Sequence, residues 1–165
     1  MNTIIFEGND KKIKSELIKY YSCDASVIID RKSIKIYGNK SIVVFNEEYF
    51  DIQSENAVFA FYSDVENPED FIIPKNYIGI CGSENKSALE VFMANEISTV
   101  TYGFKNTDTI TFSSMNENSC FISLQREIVN FAGKIIEPFE FEVKQAGFSK
   151  KAQLLISAID ILTKK

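Results

Sequence analysis

The chain has no histidine and no tryptophan. Without histidine it lacks the commonest general base near neutral pH and the commonest neutral metal ligand. Zinc sites of the Cys/His kind and Ser-His-Asp or Cys-His catalysis are therefore excluded. Cysteine is scarce: Cys23, Cys81 and Cys120 are widely spaced, with no CxxC pair. An odd, unpaired set suits a reducing compartment. Cys81 and Cys120 lie in apolar runs and read as small buried hydrophobes. No apolar run approaches the length of about 18 residues that a membrane helix needs. The opening MNTIIFEGNDKK meets charge too soon for a secretory signal, so a cytoplasmic location with no membrane partner is the expectation.

What is present is ordinary for a soluble globular chain. Its 165 residues are 45% hydrophobic and 25% charged, enough for one domain with its own core over residues 1–165. The net charge is −5. Phosphate backbones repel such a chain unless its cations share a face. The clusters Lys11, Lys12, Lys14 and Lys150, Lys151, Lys164, Lys165 read as solvated helix surfaces, so no nucleic-acid partner is expected.

Apolar periodicity alternates between two and about 3.6 along the chain. Strands are predicted at Thr3–Phe6, Ala25–Ile29, Ala57–Tyr62, Tyr77–Cys81 and Ile97–Tyr102. Asp10 is placed to cap a helix whose Ile13, Leu17, Ile18 and Tyr21 share one face. Ser33–Tyr37 and Ser41–Phe45 flank Gly38-Asn39, which reads as a two-residue hairpin turn. SDVENPEDFIIPKN, with two prolines and four acids within seven residues, reads as a surface loop. After Gly82-Ser83 a helix presents Leu89, Phe92 and Met93, so residues 77–102 form a β-α-β unit. Strands follow at Thr109–Ser113, Cys120–Leu124, Glu127–Phe131 and Phe139–Val143. Ser149 then caps a last helix with the stripe Leu155, Ala158, Ile159, Leu162. The expected fold is α/β: a mixed sheet with a βαβ unit, a β-meander and flanking helices in a layered sandwich.

The candidate site lies where strands hand over to helices. Gly82-Ser83-Glu84-Asn85-Lys86-Ser87 combines outward backbone N–H groups with the positive end of a helix, which suits a small anionic ligand. It is not a P-loop: Ile80 and Asn85 stand where GxxxxGK[ST] needs glycine, and an ordinary capped helix start reads as well. Gly103 ends a βαβ strand at its carboxyl edge, where open α/β sheets bind ligands. Ser113 and Ser114, and Ser123 to Arg126, could line a cleft with it or serve as turn residues. Asp108 reads as a turn residue. Glu137, Glu140 and Glu142 alternate along a strand and read as a solvated face rather than a hydrolytic pair.

Residues 77 to 163 resemble the later part of the central domain of Mur-type peptide ligases. Thr101-Tyr102-Gly103 is similar to that family's Thr-Phe-Gly strand end, with Asp108 near the position of its acidic residue. Phe139–Val143, Gly147 and the helix Ser149–Leu162 resemble the end of its meander and the helix that follows. The family's ATP-binding GTxGKT loop has no counterpart in FEGNDKKIK, and its adenine-contacting Asn aligns with Gly82. The metal-binding His and the carbamylated Lys also lack counterparts. The resemblance implies a fold, with ligase activity lost and no cofactor.

Three functional readings follow. The first is a non-catalytic domain acting by binding or by assembly into a homo-oligomer. The second is a nucleotide- or phosphometabolite-binding domain using Ser83, Asn85, Lys86 and Gly103. The third is an enzyme that works with carboxylates alone.

Overall fold

A computed structural model of the chain describes residues 2–24, 26–31, 33–46, 52, 54–116, 119–144 and 147–163. In chain order the elements are β1 (Asn2–Glu7), α1 (Lys11–Cys23), β2 (Val27–Asp30), β3 (Ser33–Ile36), β4 (Ser41–Asn46), β5 (Ala57–Phe61), β6 (Ile78–Gly82), α2 (Lys86–Ala94), β7 (Ser98–Gly103), β8 (Ile110–Met115), β9 (Ser119–Leu124), β10 (Ile128–Val129), β11 (Ile135–Ile136), β12 (Phe139–Lys144) and α3 (Lys150–Thr163). Ten strands form one mixed sheet in the order β12-β9-β8-β7-β6-β5-β1-β4-β2-β3. The run from β8 to β2 is parallel, and β3, β9 and β12 add antiparallel pairings at the two ends.

The apolar side chains explain the layering. Strands buried on both faces read as continuous apolar runs, and β5, AVFAF, is buried at every position. Successive residues point to opposite faces, so β1 sends Ile4 and Phe6 into one core and Ile5 into the other. The first core is roofed by α1 and α3. The second is roofed by α2 and by Phe71 and Ile73. The result is a three-layer sandwich with helices on both faces.

α1 buries Ile13, Leu17 and Tyr21. It is tied to the start of α3 through Glu16, whose carboxylate accepts from Ser149 N–H at 3.0 Å and from the Ser149 hydroxyl at 2.5 Å. α3 is buried without a break from Ala152 to Ile159, as an apolar helix enclosed by sheet and neighbouring helix must be. α2 packs close because Gly79 has no side chain: a Cβ there would lie 2.9 Å from three atoms of the Phe92 ring.

Several sequence expectations are corrected. Gly38-Asn39 does not close a hairpin. Ser33–Ile36 pairs antiparallel with β2, while β4 runs parallel to both β2 and β1. The cause is burial: β4, with Val43, Val44 and Phe45 buried, belongs inside the sheet, and the half-polar SIKI strand belongs at its edge. The meander is β8-β9-β12. The run Glu127–Phe131 leaves it, since Ile128–Val129 pairs with β11 in a separate two-stranded ladder. Met93 is 78% exposed, and Ala88 and Val91 join Phe92 on the buried face instead. The loop at 63–76 is not wholly superficial, because Phe71 and Ile73 anchor it in the second core and Pro68–Asp70 makes one 3-10 turn. Ala25, Lys164 and Lys165 lie outside the described residues.

Candidate functional site

The parallel strands β1, β5, β6 and β7 all end at one edge of the sheet, and their connections build a cleft there. β6 stops at Gly82 and β7 at Gly103, and Gly82 pairs with Tyr102. The Ser83 N–H continues this ladder by donating to Tyr102 O at 2.9 Å. Asn85 then closes the start of α2: its Oδ1 accepts from Ala88 N–H at 3.0 Å, and its Nδ2 donates to Ser63 O at 2.7 Å. One side chain thus caps a helix and ties it to the end of β5.

Gly103 sits in a tight corner. A Cβ there would lie 2.3 Å from Asp108 Oδ2 and 2.9 Å from Ser83 Oγ. Asp108 is 1% exposed and holds its turn together by accepting from Lys105 N–H at 2.9 Å. The Ser83 Oγ beside it is buried and has no hydrogen-bond partner. A cavity of about 320 Å³ opens at this corner, lined by Gly82, Ser83, Asn85, Tyr102, Gly103 and Lys151 among others. Its charged groups are Asp64, Glu84 and Lys151. Burial, and then the neighbouring Cys81, push the Tyr102 hydroxyl well above its ordinary range, so it stays protonated.

A second cavity of about 360 Å³ lies against the turn from β1 into α1. It shares Tyr62 and Asp64 with the first as lining residues. Gly8 makes that turn at φ +151°, and Tyr62 donates its hydroxyl proton to Gly8 O at 2.5 Å. Asn9 N–H donates to Ser63 Oγ at 2.8 Å. Asp10 Oδ1 accepts from Lys12 N–H at 2.9 Å and Ile13 N–H at 3.0 Å. The amino end of α1, which could otherwise hold a phosphate, is therefore occupied by a carboxylate of its own chain. Glu7, Asp64 and Glu66 line this cavity beside Lys11 and Lys14.

Of the residues singled out in the sequence, Gly82, Ser83, Asn85 and Gly103 come together around one cavity. Lys86 is exposed on the first turn of α2 and is not among the lining residues. Ser113 and Ser114 are exposed on β8 beyond the cavity, where the Ser113 hydroxyl donates to Phe121 O at 3.4 Å. Sequence reasoning missed Lys151, Tyr62 and Asp64. Lys151 reads locally as one more solvated lysine, and only the packing of α3 beside β6 and β7 brings it to the rim. Glu137, Glu140 and Glu142 are exposed. Among the described residues no group of three or more Cys, Asp or Glu side chains is placed to hold a metal ion.

No protein-family model matches the chain, and no curated protein matches it. Solved structures do. A murein peptide ligase from Psychrobacter arcticus 273-4 superposes with a TM-score of 0.55 at 8% identity, covering 97% of this chain and 43% of the ligase. The UDP-N-acetylmuramate:L-alanyl-gamma-D-glutamyl-meso-diaminopimelate ligase of Neisseria meningitides gives a TM-score of 0.56 at 12% identity, covering 99% of this chain and 61% of that one. The chain therefore spans about half the length of these ligases. At such identities the likeness is one of fold: the α/β sheet and its flanking helices are arranged as in part of a Mur ligase.

Proposed function

We propose that this chain is a non-catalytic domain of Mur-ligase-like fold that acts by binding a small ligand in the cleft at Gly82 and Gly103, and by assembly. The observation that carries the reading is the Asp10 cap. At the turn from β1 into α1, where the resemblance would put the ATP-binding loop, a carboxylate takes the helix N–H groups. Glu7, Asp64 and Glu66 stand close by and outnumber Lys11 and Lys14. A triphosphate would meet net like charge there, at a helix end with two of its donors already used.

The cleft itself favours a ligand smaller and less charged than a nucleotide. The cation at Gly82 and Gly103 is Lys151, set against Asp64 and Glu84. A paired-carboxylate enzyme finds less support. Asp108 is the one fully buried carboxylate among the described residues, and it is committed to its own turn. For assembly, the support is β3. It is an edge strand whose Ile34 and Ile36, on one face, are 67% and 76% exposed. Antiparallel pairing of two copies centred on Ile36 would set Lys35 beside the partner's Tyr37 and bring the isoleucines of both copies onto one face.

Titration of isotope-labelled protein with acetate, inorganic phosphate, AMP and ATP tests the binding reading. Amide shifts centred on Gly82, Ser83 and Gly103 with the small anions, and none with ATP at Asn9 to Ile13, are expected. Saturable ATP shifts at Asn9 to Ile13 would remove the reading.

A further inference from the structure

The ten-stranded sheet ends in β3 on one side and in β12 on the other. Among the described residues β3 pairs only with β2, and β12 only with β9. Each edge therefore presents a row of unpaired backbone N–H and C=O groups that a strand of another chain can take up. The assembly reading above uses β3 and leaves β12 without a role.

The two edges carry matching patterns, since side chains alternate between faces along a strand. On β3, Ile34 and Ile36 share one face and Lys35 takes the other. On β12, Phe139, Phe141 and Val143 share one face, and Glu140 and Glu142 take the other. Phe139 is 40% exposed and stacks on Phe141, so β12, like β3, leaves a large apolar side chain in water. Lys35, Glu140 and Glu142 are exposed, and no ion pair among the described residues uses any of them. The pairing registers fix which way each set points. Lys35 lies opposite Ile28 and Phe141 opposite Ile122, and both of these isoleucines belong to the first core. Lys35 and the β12 phenylalanines therefore point to the α1 and α3 face, while Ile34, Ile36, Glu140 and Glu142 point to the α2 face. Two copies set side by side in the same orientation would place lysine against phenylalanine. Turning one copy by a half-turn about an axis that lies in the sheet and crosses its strands matches both faces at once. Within one chain β3 runs antiparallel to β12, so after that turn the two strands run parallel. Lys35 then falls beside Glu140, Ile34 beside Phe139 and Ile36 beside Phe141.

We infer that a second copy of this chain adds its β3 to β12 by parallel strand pairing, so that copies join edge to edge in one continuous sheet. The inference rests on the assembly reading and names the strand that β3 meets. Pairing of β3 with itself sets Lys35 beside Tyr37, whereas β12 offers the lysine a carboxylate. Pairing of β12 with itself fares worse, because antiparallel pairing centred on Phe141 sets Glu140 against Glu142. The two edges differ, so the contact is heterologous. A pair of copies still has one free β3 and one free β12, and assembly continues past the dimer.

The test is sedimentation of the full chain up to about 1 mM, because the pairing of a four-residue strand is a small contact. The wild type should form species that grow past the dimer with concentration. Ile36→Lys spoils β3, and Glu140→Lys with Glu142→Lys spoils β12. All three side chains are exposed, so both variants keep the fold, and each alone should be monomeric. An equimolar mixture of the two should give a heterodimer, in which the intact β12 of the first takes the intact β3 of the second. Adding Lys35→Glu to the second variant sets opposite charges across the contact again and should restore assembly. The inference is overturned if Glu140→Lys with Glu142→Lys associates as the wild type does, if the mixture stays monomeric, or if the triple variant does. A wild type that stops at a dimer also overturns it but leaves assembly through β3 standing, whereas a monomeric wild type removes both.

Discussion

The Asp10 carboxylate holds the amino end of α1 by accepting the Ile13 N–H at 3.0 Å. The same oxygen takes the Lys12 N–H at 2.9 Å, so one side chain satisfies two of the donors that a helix leaves free at its start. Removing it should unsettle the helix. Asp10→Ala is expected to lower stability by about 1 kcal/mol, and Asp10→Asn by less, since Asn also caps well. Urea unfolding of the three proteins measures this. An Asp10→Ala variant as stable as the wild type would show that the cap contributes nothing to the fold.

Gly103 and Asp108 compete for the same space. With a Cβ at Gly103 only 2.3 Å from Asp108 Oδ2, Gly103→Ala must push the buried carboxylate away from Lys105 N–H. A loss of about 1–3 kcal/mol is expected, the usual range for overpacking. Asp108→Ala also loses a turn bond, but the double variant should be more stable than the sum of the two changes implies, because the clash is gone. A double-mutant cycle on unfolding free energies gives that coupling. Strict additivity would mean the two residues do not meet.

Cys81 gives a pH signature. Burial pushes its thiol up to about 12. The folded state then keeps its proton where the unfolded chain, with an ordinary thiol near 8.5, has lost it. Its contribution to stability is full below the unfolded value and is lost as pH rises from there toward the folded one. The wild type should therefore lose up to about 1.4 kcal/mol per pH unit more than Cys81→Ala above about pH 9. Unfolding free energies at several alkaline pH values compare the two. At pH 8 only Cys23, the exposed thiol, should react promptly with a thiol reagent, because Cys81 and Cys120 are buried.

Association through β3 is checked by sedimentation. The wild type should show concentration-dependent self-association, and Ile36→Lys should abolish it without loss of stability, since Ile36 is 76% exposed. A wild type that is monomeric at all concentrations would remove assembly from the account.

The layered α/β fold was legible because its signals are local. β5 is a short apolar run, α1 carries its Asp10 cap and a stripe at helical spacing, and β6-α2-β7 is a compact parallel unit. Strand partners were less legible. Gly38-Asn39 has the chemistry of a hairpin turn, yet burial of Val43 to Phe45 draws β4 inward and leaves β3 to pair with β2. Around the cleft, Gly82 and Gly103 could be found because each ends a strand, and Ser83 and Asn85 because they lead from β6 into α2. Lys151 and Asp64 could not, since only the packing of distant segments brings them there. Lys86 and Ser114 show the converse: a residue next to a strand end can still point away from the cavity.

The proposed function turns on the β1–α1 turn, where Asp10 takes two of the helix N–H groups that a phosphate would need. Calorimetric titration of the wild-type chain with Mg-ATP, followed by an assay for phosphate release, tests it most directly. The account predicts no saturable heat and no turnover. Saturable Mg-ATP binding that Lys11→Ala weakens, with or without hydrolysis, would contradict it.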